Sequence, residues 1–267
     1  MKRFRMKQLI LIFAMVIVAV PALAGDVLDR IVERGEIRVG MTGNQPPLNI
    51  RDKNGDLIGY EVDLVHLLAG SMGVEAKLVA KPFPELLPAL LAGELDMVVS
   101  GMTITPSRNT KVAFVGPYAI TGKSILTKSG SLAASDETGD INEEALRLVA
   151  LEGSTSQDFV EQLIPKAQLK KIGDYNDALK LLFADQADAL VADMEACQFF
   201  LLRYPDAGLA TLSQPLTIEP IGMALPPDDP LLVNLIENYF ISLETLGLLE
   251  PLHDKWYTDP AWLLQVP

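Results

Sequence analysis

Five short stretches of this chain hold residues whose types suit the capture of a small charged molecule. Arg108 follows a Thr105-Pro106-Ser107 turn, and its guanidinium offers two parallel donors in the fixed geometry that a carboxylate accepts. Ser100, Gly101 and Thr103 lie just before it: hydroxyl donors, and a glycine that lets a ligand approach the main chain. Gly153-Ser154-Thr155-Ser156 opens an amphipathic segment in which Phe159, Val160 and Leu163 share a face, and free amides at a helix start favour an anion. Asp193 ends an apolar strand and supplies an anion suited to an ammonium, while Thr42 and Gln45 sit in a Gly/Pro-marked loop. Each feature also has a plain structural reading. Arg108 alone reads as a solvated surface charge, and Ser100, Thr103, Ser154, Thr155 and Asp193 can serve as helix or turn caps.

The elements that must carry these residues follow from periodicity. Glu36 to Met41 alternates like a strand, Asn54-Gly55 marks a hairpin turn, Val62 to Met72 has helical spacing that stops at Gly73, and Glu75 to Ala80 is extended again. A helix from Glu85 ending at Gly93 leads to a buried strand from Asp96 to Ser100. The same unit returns later, with a helix over Asn176 to Ala184 and a strand over Asp188 to Ala192. Aligning Asp96 with Asp188 sets Gly101 over Asp193. Strands alternating with helices predict an α/β fold with mainly parallel sheets, whose carboxyl ends are the usual place for ligands.

Bulk properties narrow the function further. Met1 to Lys7 is basic, Leu9 to Val20 is apolar but short for a membrane span, and Ala22-Leu23-Ala24 suits a signal peptidase, so residues 1–24 read as a secretory leader. Removing its four cations takes the formal charge from −13 to −17, which excludes nucleic acid as a partner. Cys197 is the only cysteine and reads as a buried thiol, so no intrachain disulfide forms. Two isolated histidines, His66 and His253, make no metal site, and no cofactor is implied.

Ser100-Gly101-Met102-Thr103-Ile104-Thr105-Pro106-Ser107-Arg108, followed by Val112-Ala113-Phe114-Val115-Gly116-Pro117-Tyr118, resembles the polar amino-acid-binding family of periplasmic proteins. Gly59-Tyr60-Glu61, Pro88 to Asp96, Gly153 to Ser156, Asp188 to Asp193, Leu246-Gly247-Leu248-Leu249 and Asp254-Lys255-Trp256 fall in the family's order over nearly the whole mature chain. The resemblance implies two α/β lobes joined by two hinge strands, with residues 25–117 plus 222–267 in lobe one and 118–221 in lobe two with the crossings. It implies an Arg108 clamp on the ligand carboxylate, aided by Thr103, and Ser154, Thr155 and Asp193 closing from lobe two. The partners it implies are an amino-acid-like ligand and the permease of an ABC transporter, with the binding protein a monomer. Gln45 and Leu48 stand where relatives carry aromatics, and Thr42 where relatives selective for basic ligands carry an acid, which points to a polar uncharged or acidic ligand. Some family members are cyclohexadienyl dehydratases, which need a general acid in the cleft. Glu152 and Glu195 are near it, in no recognisable catalytic constellation, and Glu195 is expected to face solvent. Trp256 is expected to anchor the terminal helix to lobe one.

Overall fold

A computed structural model of the chain describes residues 26–135 and 137–267; the leader read at 1–24, and Gly25, lie outside them. Two five-stranded sheets organise the molecule. In the first, Glu75–Ala80, Glu36–Met41 and Met97–Val98 run parallel, and Glu219–Leu225 and then Ala113–Thr121 complete the sheet antiparallel. In the second, Gln168–Ile172, Arg147–Leu151 and Ala189–Asp193 run parallel, and Lys123–Thr127 and Ala210–Thr211 complete it antiparallel. Each sheet thus has three parallel strands followed by two antiparallel ones, the architecture of a periplasmic-binding-protein-like fold.

The repeat seen in the sequence extends to its chemistry. Asp96, in the turn before Met97–Val98, accepts from the Arg38 backbone amide at 2.8 Å and from its guanidinium at 3.0 Å. Asp188 does the same to Arg147 in the second sheet, at 2.8 Å and 2.7 Å. In both units the aspartate ties its strand to the parallel neighbour. That tie shortens the strand predicted over Asp96 to Ser100 to Met97–Val98, since Asp96 faces Arg38 and Ser100 already turns into a loop.

Helices cover the sheets as the apolar spacing requires. Tyr60–Met72 buries Leu64, Val65 and Leu68 and ends on Gly73 at φ 69°, the left-handed cap that glycine adopts without a Cβ clash. Phe83–Leu91 buries Leu86 and Leu90 over the first sheet. Tyr175–Phe183 starts at Asp174, whose side chain accepts from the Asp177 amide at 3.1 Å. Leucines and isoleucines buried in this way each contribute about 1.5–3 kcal/mol. Cys197 is fully buried on the helix Met194–Arg203, and burial pushes its thiol up to about 12.

Among the described residues, two strands pass between the sheets. Ala113–Thr121 and Glu219–Leu225 pair antiparallel, with Glu219 opposite Thr121 and Ile221 opposite Ala119, and Lys123–Thr127 begins the second sheet one residue after Thr121–Gly122. The Thr217 carbonyl lies 1.9 Å from where a Cβ on Gly122 would stand, so any side chain there would displace the crossing.

Asp96 is 1 % exposed and has two arginines on it, Arg34 and Arg38. Asp96→Ala is expected to cost about 3 kcal/mol in urea denaturation, by leaving buried donors unpaired. Asp188→Ala, at the more exposed counterpart, is expected to cost less.

Candidate functional site

The centre of the site is a lysine that the crossing strand turns inward. Lys123 stands opposite Asp193 in the antiparallel register, and its Nζ lies 2.5 Å from Asp193 Oδ1 and 2.9 Å from Glu219 Oε2. Its side chain is 2 % exposed. Burial works against the charge, but the two carboxylates outweigh it and hold the lysine above its ordinary pKa. Burial likewise opposes ionisation of Glu219, yet Lys123 and the surrounding hydroxyls keep that carboxyl below its usual range.

Glu219 is also where the two lobes meet. Its Oε2 accepts from the hydroxyls of Thr103, in the lobe-one loop, at 2.9 Å and Thr155, in lobe two, at 2.8 Å. Those hydroxyls are 3.2 Å apart, and Thr217 donates to Oε1 at 3.1 Å. One hinge carboxylate therefore joins both lobes and both crossings.

Arg108 makes a second bridge. Thr105 caps its short helix by accepting from the Arg108 amide at 3.2 Å, and this aims the side chain at the cleft. The guanidinium donates to Thr103 O at 2.9 Å and across the cleft to Gly153 O at 3.1 Å, with Phe83 beneath it at 5.6 Å. Burial lowers its pKa from the ordinary arginine value, opposed by Asp158, Glu219 and Asp193. A Cβ on Gly153 would lie 3.2 Å from Pro84, so the lobes touch and the clamp is closed.

The remaining candidates fall into two groups. Ser154 is a helix cap: it accepts from the Gln157 amide at 3.3 Å and donates to Leu151 O at 2.6 Å. Thr42, Gln45, Ser100 and Gly101 form a network inside lobe one. Gln45 Oε1 accepts from Ser100 at 2.6 Å and Thr42 at 2.9 Å, and the Thr42 amide donates to Ser100 Oγ at 3.0 Å. The Gly101 amide goes to Glu61 Oε1 at 2.7 Å, an oxygen that also accepts from Tyr118, while Asn49 donates to Glu61 Oε2. Burial raises the Glu61 pKa, and these three donors counter it. Ser100 and Gly101 are thus engaged by the protein. Gly101 adopts a positive φ of 55°, and Gln45 Nε2 lies 2.9 Å from where a Cβ would stand, so a side chain here would be both strained and crowded.

Between the lobes, on the hinge side, is a cavity of ≈ 20 Å³ whose polar walls are Gln45, Thr121, Tyr175, Asp193, Glu195 and Tyr257. It has room for about one water, so a solute enters only when the lobes part. Glu195 corrects an expectation: it turns inward and accepts from Thr121 on the crossing strand, because its helix begins at the hinge. Burial, chiefly, raises its pKa. Glu152 is exposed.

Sequence reasoning thus picked out Thr103, Arg108, Thr155 and Asp193, which the fold brings together, but missed Lys123, Glu219 and the tyrosines. Neither Lys123 nor Glu219 lies in a motif that the sequence marks for binding. Their signal was a charged residue in each of two segments otherwise fit for burial.

The chain is similar to several known proteins. The family model described as bacterial extracellular solute-binding proteins, family 3, matches residues 37–259. The chain is 26 % identical over 230 residues to the L-cystine-binding protein TcyJ of Escherichia coli (strain K12), covering 86 % of this chain and 85 % of the relative. It is 24 % identical over 229 residues to the cyclohexadienyl dehydratase of Pseudomonas aeruginosa, covering 86 % and 85 %. Among solved structures, the binding component of an ABC transporter from Wolinella succinogenes complexed with lysine superposes with a TM-score of 0.82 at 32 % identity, covering 86 % of this chain and 99 % of that one.

The ion cluster generates a test with a defined sign. Glu219, held low, contributes stability above the unfolded carboxylate value of about 4.3, and this is lost as pH falls through its lower folded pKa. Lys123, held high, contributes below about 10.4 and loses this as pH rises through its folded value. Lys123→Met strands two carboxylates and is expected to lose about 3–5 kcal/mol at neutral pH. Urea denaturation should find the gap to wild type narrowing as pH is lowered below about 4.

Proposed function

We propose, given that this chain belongs to the bacterial extracellular solute-binding proteins of family 3, that it captures an amino acid or a similar small solute in the periplasm by hinged closure of two lobes. It hands the solute, as a monomer, to the permease of an ABC importer. Its lobes are residues 25–117 with 222–267, and 118–221 including the crossings, a division supported by the two sheets and the two strands between them. Residues 1–24 serve as the export leader.

The observation that carries this reading is the junction of Arg108, Thr103, Thr155, Lys123, Asp193 and Glu219 at the meeting of both lobes and both hinge strands. It sets a donor-rich end against a carboxylate-rich end, which is the polarity of a zwitterion. In the open form the ligand carboxylate takes Arg108 and Thr103. On closure Thr155 is added, and the ammonium shares Asp193 with Lys123. Thr42, Gln45, Ser100 and Gly101 shape the lobe-one floor, and Ser154 holds the helix that presents Thr155. The ligands of these relatives, cystine for the Escherichia coli protein and lysine in the Wolinella succinogenes structure, are amino acids.

A second reading has one observation in its favour. Glu195 lines the cavity, and its carboxyl is raised by burial, as a general acid for a dehydration requires. The dehydratase relative makes this reaction class worth assaying.

Calorimetry of ligand-stripped mature protein against the standard amino acids is expected to find saturable binding. Arg108→Ala should weaken it by 2–5 kcal/mol, roughly 30- to several-thousand-fold. Absence of heat with every amino acid would overturn the reading. Prephenate and arogenate are expected to be returned unchanged. Turnover that falls by about 10²–10⁴ in Glu195→Gln would establish the enzyme instead.

A further inference from the structure

The C-terminal segment runs out of lobe one and lies against lobe two. Trp256 Nε1 donates to Asp63 Oδ2 at 2.7 Å, on the lobe-one helix Tyr60–Met72, and Lys255 pairs with the same carboxylate. Further on, Lys53, in the lobe-one hairpin, donates from its amide to Gln265 O at 2.9 Å and from Nζ to Leu264 O at 2.8 Å. The segment is therefore tied to lobe one at both ends.

Between these ties, Trp262 reaches the other lobe. Its ring stacks on Phe199 with centroids 5.5 Å apart and planes 12° from parallel, and its Nε1 is held by Trp256 O at 3.0 Å. Phe199 belongs to Met194–Arg203, the helix that begins at Asp193 and carries Glu195 into the cavity wall. Trp262 and Phe199 are both buried. Tyr257, in the same strap, forms the opposite cavity wall and packs on Tyr60 and His253.

We propose that the strap 256–265 is an interlobe latch, in which Trp262 and Phe199 are positioning residues that bias the clamp toward its closed form. Because the strap is fixed to lobe one at Trp256 and again at Leu264 and Gln265, it cannot follow lobe two, although Pro267 O, beyond the strap, accepts from Arg203 of the Phe199 helix at 2.9 Å and parts from it in the same movement. Opening must separate Trp262 from Phe199 and wet both rings. The same movement carries Asp193 and Glu195 away from Tyr257, so solute exchange and latch release are one event. This rests on the hinged-clamp reading and not on the identity of the solute.

The two tryptophans of the chain, Trp256 and Trp262, both lie in the strap, so intrinsic fluorescence reports the latch directly. Small-angle scattering and emission spectra of ligand-free protein are the test. Phe199→Ala, in the lobe the strap does not belong to, should raise the radius of gyration and shift tryptophan emission to the red, with far-UV circular dichroism unchanged. Phe199→Tyr should restore both. If Phe199→Ala fails to fold, Phe199→Leu keeps the site filled without a ring to stack and should show the same two changes. A folded Ala or Leu variant with wild-type radius and emission overturns the latch. Since no solute is added, failure of every amino acid to bind in calorimetry is a separate result.

Discussion

A lysine buried between two carboxylates constrains everything around it. Lys123 has no other compensation for leaving water, so Asp193 and Glu219 must both be delivered to it, and each comes from a different strand. Asp193 arrives because the second sheet pairs its strand with that of Lys123. Glu219 arrives because the returning crossing pairs with the outgoing one. The glycine between them is fixed by the Thr217 carbonyl. The hinge of this protein is thus an electrostatic junction, and its bending is limited by the need to keep three charges together.

The lobes then attach to the junction by weaker, reversible contacts. Thr103 and Thr155 each give one hydroxyl to Glu219, and Arg108 gives one donor to the Gly153 carbonyl. Each of these bonds has one charged partner and is worth about 1.5–3 kcal/mol, less than the roughly 3–5 kcal/mol lost when a buried ion cluster is broken. That difference is what a clamp needs: a hinge that does not come apart, and a lip that does. The lobe-one floor follows the opposite rule. Glu61, Asn49, Ser100, Gln45 and Tyr118 satisfy one another, leaving a preformed surface instead of a set of free donors.

The fold was largely legible in the sequence because its signals are local. Gly73 ends a helix, Asn54-Gly55 turns a hairpin, and the Asp96 and Asp188 units repeat, whereas the arginine that each aspartate holds is found only in the fold. The site was legible only where a motif carried it. Arg108 and Asp193 stand at the ends of recognisable turns and strands. Lys123 and Glu219 meet, and Glu195 reaches Thr121, only after two crossings bring residues some seventy to a hundred positions apart into contact, and no periodicity encodes that. Ser100 was read for its hydroxyl, Gly101 for close approach of a ligand and Thr42 for selectivity, but whether each is free for a ligand depends on contacts with Gln45 and Glu61 that only the fold makes.

The solitary thiol has a practical side. Cys197 is sealed in its helix, and its burial suppresses the thiolate that alkylating reagents attack. A cysteine introduced on the rim of either lobe would be the only reactive sulfur in the folded protein. Fluorescent dyes would attach at that one chosen point without any need to mutate the native residue. The chain is in this respect already suited to conversion into an optical reporter of its own solute.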